Sequence, residues 1–285
     1  MDISIEFFGI ELRLSNLDKV FSRERLISYA QNFEDVMLFR ALNEIQNGFY
    51  VDVGAGDPMN ASVTRLFYEQ GWSGINIEPH PVPFQALEHQ RGRDLNLQML
   101  ASNFCGTENF YLLDHMDYST ANLEVAVKHQ ESGQKYSISE VQTITLNEIF
   151  SNHLQNRDVH FLKVDVEGSE KEVIEGINLV DFRPWILVVE ATYPNSQKDN
   201  YGQWEFLVLQ QEYDLVYKDG LNRFYLANEH VRLKPHFQYP PNVFDNFEQY
   251  YGYRQAELDR LRLENAVLEN QLKKEQSENA PESAS

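Results

Sequence analysis

The stretch Tyr50-Val51-Asp52-Val53-Gly54-Ala55-Gly56-Asp57 limits what this chain can fold into more than any other part of it. Val51 and Val53 are β-branched and suit a buried strand. Gly54 and Gly56 then let the backbone turn sharply and approach a ligand with no Cβ in the way. A strand running into such a turn suggests a nucleotide-like ligand at the edge of an α/β domain. A dinucleotide fingerprint asks for a third glycine three residues after the second, and that position is Met59, preceded by Pro58. A dinucleotide site also offers helix-terminus amides to a pyrophosphate, whereas Asp52, two residues before the first glycine, suits a cationic ligand end.

S-adenosylmethionine has such an end, with an ammonium and a sulfonium. Downstream, Ser73-Gly74-Ile75-Asn76-Ile77-Glu78-Pro79 reads as a second strand ending in a carboxylate. Lying about twenty residues past the turn, Glu78 is placed to accept hydrogen bonds from both hydroxyls of a ribose. Asp-x-Gly-x-Gly with an acid at the next strand end is a signature for this cofactor. Glu78 taken alone would serve NAD equally well, and a plain glycine turn with a surface glutamate is the ordinary alternative.

The rest of the sequence narrows the class. A chain of 285 residues is long enough for one α/β domain with extensions. Cys105 is the single cysteine, so there is no internal disulfide; a reducing compartment, the cytoplasm, is expected. No basic leader followed by an apolar run opens the sequence, and no run of about 18 apolar residues occurs anywhere, so a transmembrane segment is not expected. A net charge of −20 opposes binding to nucleic acid, whose phosphates need clustered Lys and Arg.

Apolar positions on either side of Gly9 suggest a short hairpin. Residues 28–39 look helical, 62–70 and 82–91 read as crossover helices stopped by Gly71 and Gly92, and 95–100 reads as a third strand. Phe110 to Leu113 could be extended, but 114–136 is polar and aperiodic, a long loop of the kind that covers a ligand. Residues 141–145 look extended and 146–153 helical. Strands follow at 159–166 and at 185–189, the latter ending at Glu190, with helices at 169–175 and near 204–211. Asp219-Gly220 between two short apolar runs is a hairpin signal. The pattern predicts an α/β, Rossmann-like, doubly wound sheet of seven strands with one antiparallel strand. An extension over 1–27, a cofactor domain over 28–247, a short coiled coil over 254–274 and a disordered tail over 275–285 complete the expected organisation.

Several blocks in order resemble the FkbM-type family of S-adenosylmethionine-dependent methyltransferases. They are Ser28-Tyr29-Ala30-Gln31-Asn32-Phe33-Glu34-Asp35, Phe49 to Pro58, Gly71 to Pro79, Phe161-Leu162-Lys163-Val164-Asp165-Val166-Glu167-Gly168-Ser169-Glu170, Arg183-Pro184 and Pro240-Pro241-Asn242-Val243-Phe244-Asp245. Gly56 stands where many members have Asn, and Met99 near where many place one after the third strand. The resemblance implies a class I methyltransferase fold and O-methylation of a hydroxyl on a sugar, glycan precursor or other small molecule. A catalytically inactive cofactor-fold module acting as a scaffold is the alternative.

Doubly wound sheets bind ligands at the carboxyl ends of their strands, which brings Asp52, Glu78, Asp165 and Glu190 to one edge. The expected cofactor contacts are Asp52, Gly54, Ala55, Gly56, Glu78 and Pro79. Asp165 is expected nearest the methyl, as a base or electrostatic partner, against the alternative of a helix-capping acid. Glu167 shares its strand face with Asp165 and Lys163, or else belongs to a strand-to-helix turn. Lys163 is a base if desolvation lowers its pKa, and otherwise a salt-bridge partner. Glu190 and His80 are candidates for substrate or a divalent cation, which the spacing permits without demanding. Tyr118-Ser119-Thr120 is a candidate lid. At the carboxyl end, Leu258, Asn265 and Leu272 occupy one heptad core position and Leu261 and Leu268 the other, the pattern of a parallel homodimeric zipper in which paired Asn fixes register. Leu263 and Val267 widen the apolar face, so a helix packed back on the domain is the alternative.

Overall fold

The computed structural model describes residues 4–7, 10–13, 25–154, 157–251, 254, 258 and 261. They fall into two compact units, one within Met1–Ser28 and Val243–Ser285, the other Tyr29–Asn242. In the first, β1 (Ser4–Phe7) and β2 (Ile10–Arg13) form an antiparallel hairpin with Phe7 opposite Ile10. β3 (Leu26–Ser28) pairs in parallel with the last strand, β14 (Phe247–Gln249). Arg254, Leu258 and Leu261 are helical and exposed. The rest of the expected coiled coil, and the tail beyond it, lies outside the described residues. No described helix is long and apolar enough to cross a membrane.

The second unit opens with α1 (Glu34–Leu42). The expected helix over 28–39 begins six residues late, because Asp35 Oδ2 accepts hydrogen bonds from the Tyr29 and Ala30 amides at 2.7 and 3.3 Å and Phe33 turns through a left-handed φ of 62°. There follow β4 (Phe49–Val53), α2 (Arg65–Glu69), β5 (Ser73–Ile77) and α3 (Pro81–Gln90). The expected strand over 95–100 is two strands in different sheets, β6 (Leu95–Leu97) and β7 (Leu100–Ala101). β8 (Gly106–Leu113), α4 (Leu123–Glu131) and β9 (Tyr136–Ile144) come next. The long loop expected over 114–136 therefore contains a helix. Asn122 caps it, its Oδ1 accepting from the Glu124 and Val125 amides.

After α5 (Leu146–His153) come β10 (Phe161–Val164), α6 (Glu170–Glu175), β11 (Ile186–Glu190), α7 (Glu205–Leu209), β12 (Tyr213–Lys218) and β13 (Asn222–Ala227). The main sheet runs β12-β13-β11-β10-β4-β5-β6. β13 is antiparallel to both its neighbours, and the other pairings are parallel. β7, β9 and β8 form a separate small sheet.

Alternation along the central strands sends side chains to two cores. Val51, Val53, Leu162, Val164, Leu187 and Val189 pack with Ile149 and Phe150 of α5, Val173 and Ile174 of α6, and Val208 of α7. Tyr50, Phe161, Ile186 and Val188 pack on the other face with Met37 and Leu38 of α1 and Phe67 of α2. Both faces are covered, as parallel strands require. The strand ends therefore remain as the place where polar groups gather.

Candidate active site

The cleft lies beyond the carboxyl ends of β4, β5, β10 and β11. Its first wall is the turn after β4. Gly54 has φ 73° and its amide donates to the Ile77 carbonyl at 3.0 Å. A Cβ here would stand 1.8 Å from the Asp165 carbonyl oxygen, so this glycine is required by the packing of two neighbouring strand ends. Gly56, at φ 59°, has no atom within 4 Å of where a Cβ would be. Its freedom serves the backbone path, and its amide donates to Glu78 Oε2 at 2.8 Å. Asp57 Oδ1 accepts from the Met59 and Asn60 amides, and buried Arg91 holds the Pro58 carbonyl at 2.9 Å, so the loop after the turn is fixed from both sides.

Glu78 is buried at the end of β5 and also accepts from the His80 amide at 2.7 Å. Burial outweighs these bonds and pushes its carboxyl up to about 7. Ala55 and Pro79 line the same wall, and Val82, Pro83, Ala86 and Leu100 extend it as an apolar surface. His80 is not among the lining residues. Its Nδ1 accepts from the Val82 amide at 3.2 Å, so the histidine considered for substrate or metal is the cap of α3.

Asp52, expected to touch the cofactor, does not line the cleft either. It is 1 % exposed, its Oδ2 accepts from Thr64 Oγ1 at 2.9 Å, and its Oδ1 faces Lys163 Nζ at 3.4 Å. The register makes this inevitable, since Lys163 of β10 sits directly beside Asp52 of β4. Lys163 Nζ also donates to the Gly54 carbonyl at 2.8 Å and lies 3.4 Å from Asp165 Oδ2. Burial works against its charge, but the Asp52 and Asp165 carboxylates prevail and hold it above the ordinary lysine range. Lys163 is therefore a cation bracing the glycine turn, and the reading of it as a base falls.

The floor is acidic. Asp165, Glu167 and Glu190 each bring an oxygen within 4.8 Å of the others. Glu167 sits in a left-handed turn, φ 54°, followed by Gly168 at φ 98°, so of the two readings the strand-to-helix turn holds while its side chain still faces the cleft. Burial first, then Asp165, Glu170 and Asp117, push its carboxyl up to about 8. Glu190 is raised further, to about 11, by burial and then by Asp165, Glu167 and Glu170. The acid that braces α6 is Glu170, not Asp165. Its Oε1 accepts from the Gly168 amide at 3.0 Å and its Oε2 from Asn200 Nδ2 at 3.0 Å.

Other lining residues had no local signature. Glu34 of α1 accepts from Asn222 Nδ2 of β13 at 2.7 Å, and burial pushes it up to about 7. Gln31, Phe110, Met116 and Asp117 also face the cleft. Glu34 and Gln31 fall in the first of the resembling blocks, which was the one available signal. From the expected lid, Ser119 lines the cleft, Tyr118 stacks between His115 and His129, and Thr120 Oγ1 donates to the Glu167 carbonyl at 2.8 Å. Asn122 Nδ2 reaches the Gly168 carbonyl at 3.3 Å.

No curated protein matches the sequence. Among solved structures, a TehB-like SAM-dependent methyltransferase from Corynebacterium glutamicum is similar over 75 % of this chain and 93 % of its own, at 7 % identity and a TM-score of 0.38. The family model of the methyltransferase FkbM domain matches residues 52–217, from Asp52 through the glycine turn and all three floor carboxylates to β12. That match spans more than half of the chain, which belongs to the FkbM methyltransferase family.

Proposed function

We propose that the chain is an S-adenosylmethionine-dependent O-methyltransferase with a class I fold, acting on a hydroxyl of a sugar or glycan precursor. The observation that carries this is the pairing of the open Gly56 turn with Glu78, whose carboxylate holds the turn's amide at 2.8 Å while lining the cleft. The residues fit the cofactor. Glu78 keeps lone pairs for ribose hydroxyls, the apolar wall from Val82 to Leu100 suits an adenine, and the acidic floor suits a cationic sulfonium and ammonium. When bound, the cofactor supplies an electrophilic methyl group.

The chain's part is to hold the acceptor hydroxyl in line and take its proton as the bond forms. Asp165 has a side chain 28 % exposed and lies beside the fixed positive charge of Lys163, and we assign it the proton. Burial, and then the Asp165, Glu167 and Glu170 carboxylates, push Glu190 up to about 11, which favours its protonated form beside Asp165. Gln31, Glu34 and Asn222 add polar groups suited to a polyhydroxy acceptor. Exposed, unpaired Cys105 supports a reducing, cytoplasmic setting.

Titration calorimetry with S-adenosylmethionine and its demethylated product tests the reading, and absence of binding by either refutes it. Labelled methyl donor with a panel of sugar nucleotides and glycan precursors then identifies the acceptor. A folded protein that binds cofactor and methylates nothing in that panel would favour the scaffold reading. Asp165→Asn is expected to lower turnover more than cofactor affinity, and wild-type turnover in that variant would overturn its role.

A further inference from the structure

The floor carboxylates are crowded beyond what their protein partners compensate. Among the described residues no salt bridge reaches Glu167 or Glu190. The nearby Lys163 is committed to the Gly54 carbonyl, to Asp52 and to Asp165. Glu190 is 7 % exposed, yet its Oε2, at the cleft, has no hydrogen-bond partner among the described residues. A buried oxygen left without a partner is destabilising. In a cleft it calls for a partner from outside the chain, of which a water or an ion is the simplest.

We propose that Asp165, Glu167 and Glu190 together hold a divalent cation, of the hard class of Mg²⁺, Mn²⁺ or Ca²⁺. All three donors are carboxylate oxygens, with neither Cys nor His among them, which selects hard ions. Octahedral Mg²⁺ at about 2.1 Å sets opposite ligands about 4.2 Å apart, and Ca²⁺ at about 2.3–2.6 Å sets them about 4.6–5.2 Å apart. Oxygens within 4.8 Å of one another lie close enough for one ion to reach all three, with the cis pairs drawing in to about 3 Å around Mg²⁺.

Three protein oxygens leave coordination positions open to the cleft, for water or for neighbouring oxygens of an acceptor. Each carboxylate has two oxygens, so ligation through one leaves Asp165 the other for a proton. The backbone holds Glu167 in place for this, because its carbonyl accepts from Thr120 and the next amide, of Gly168, is held by Glu170.

The test uses the full chain stripped of metal by a chelator, with no methyl donor present, so that it succeeds or fails independently of the methyl-transfer reading. Mn²⁺ alone is titrated in and free Mn²⁺ is followed by electron paramagnetic resonance, with Mg²⁺ and Ca²⁺ as competitors. One Mn²⁺ per chain, displaced by Mg²⁺ or Ca²⁺, is expected. Glu190→Gln and Glu167→Gln should each weaken it by at least about tenfold, the loss that even outer-shell partners produce. Glu34→Gln, in the same cleft but outside the cluster, should leave it unchanged. Circular dichroism checks folding, and if Glu190→Gln does not fold, the partly exposed Glu167→Gln carries the comparison. No saturable binding to the folded wild type at millimolar ion overturns the proposal. Binding untouched by the folded cluster variants, or weakened equally by Glu34→Gln, overturns it too.

Discussion

Replacing Glu78 with Gln should make the stability of the ligand-free protein less dependent on pH and at the same time weaken its hold on S-adenosylmethionine. The carboxyl is 6 % exposed and accepts two backbone amides, at 2.8 and 2.7 Å, yet burial still lifts it from 4.5 to about 7. Between those values the folded chain keeps a proton that the unfolded chain has released. Stability from this group is therefore full below about pH 4.5, declines as pH rises to about 7 and is level above that. At about 1.36 kcal/mol per pH unit the loss is about 3 kcal/mol. Gln matches the acid in shape and does not titrate, and the amide hydrogen bond it gives up, because its NH2 cannot accept, is lost equally at every pH and cancels in the pH comparison. Glu34 and Glu170, raised similarly, are present in both proteins and cancel in the comparison. At roughly 2 °C per kcal/mol for a chain of this size, Tm of the variant relative to wild type should rise by about 6 °C between pH 4.5 and pH 8. Scanning calorimetry at the two pH values reads this directly. Loss of a charged acceptor should raise the cofactor Kd by about 1.5–3 kcal/mol, roughly 10- to 150-fold, in isothermal titration. A Tm difference identical at both pH values would refute the burial argument, and unchanged affinity would refute the ribose contact.

Lys163→Met should destabilise by about 3–5 kcal/mol in urea unfolding, because it leaves the 1 %-exposed Asp52 charge unanswered; a loss under about 1 kcal/mol would show that the pair does not matter. Gly54→Ala should prevent folding, since its Cβ would meet the Asp165 carbonyl at 1.8 Å, whereas Gly56→Ala faces open space and only the φ 59° strain, about 1–2 kcal/mol. Equal thermal stability of the two variants would contradict that distinction. Light scattering should give the full chain a dimer mass that Leu261→Asp with Leu268→Asp reduces to one chain. A wild type already at single-chain mass would dispose of the heptad argument.

What the sequence made legible was the part governed by local rules. Val51 and Val53 announce a buried strand and Gly54 and Gly56 its turn, and Thr145 three residues before Glu148 marks the start of α5, where Thr145 Oγ1 accepts the Glu148 amide. The helix α4 escaped because it buries only Val125, Ala126 and His129 and so shows little period; Asn122 was its one signal. The break between β6 and β7 falls at Gln98-Met99, within the alternating run Leu95-Asn96-Leu97-Gln98-Met99 that reads as one continuous strand. At the site, the strand ends fixed which acids would gather, but not which way each would face. Asp52 could be assigned to Lys163 only once β4 was known to lie beside β10 in that register. The contact between Glu34 and Asn222 joins residues 188 apart and leaves no trace in either neighbourhood.

The segment between β8 and β9 is joined to the Glu167 turn by side-chain donors on one side and main-chain carbonyls on the other, Thr120 to Glu167 and Asn122 to Gly168. Main-chain acceptors do not change when the residue carrying them is substituted, provided the turn keeps its conformation. The segment between β8 and β9 is thus attached by fittings indifferent to the side chain at position 167, and it carries its own helix cap. A different sequence over 114–135 that keeps Thr120 and Asn122 would change what Met116, Asp117 and Ser119 now present to the cleft while the sheet and its carboxylates stay in place.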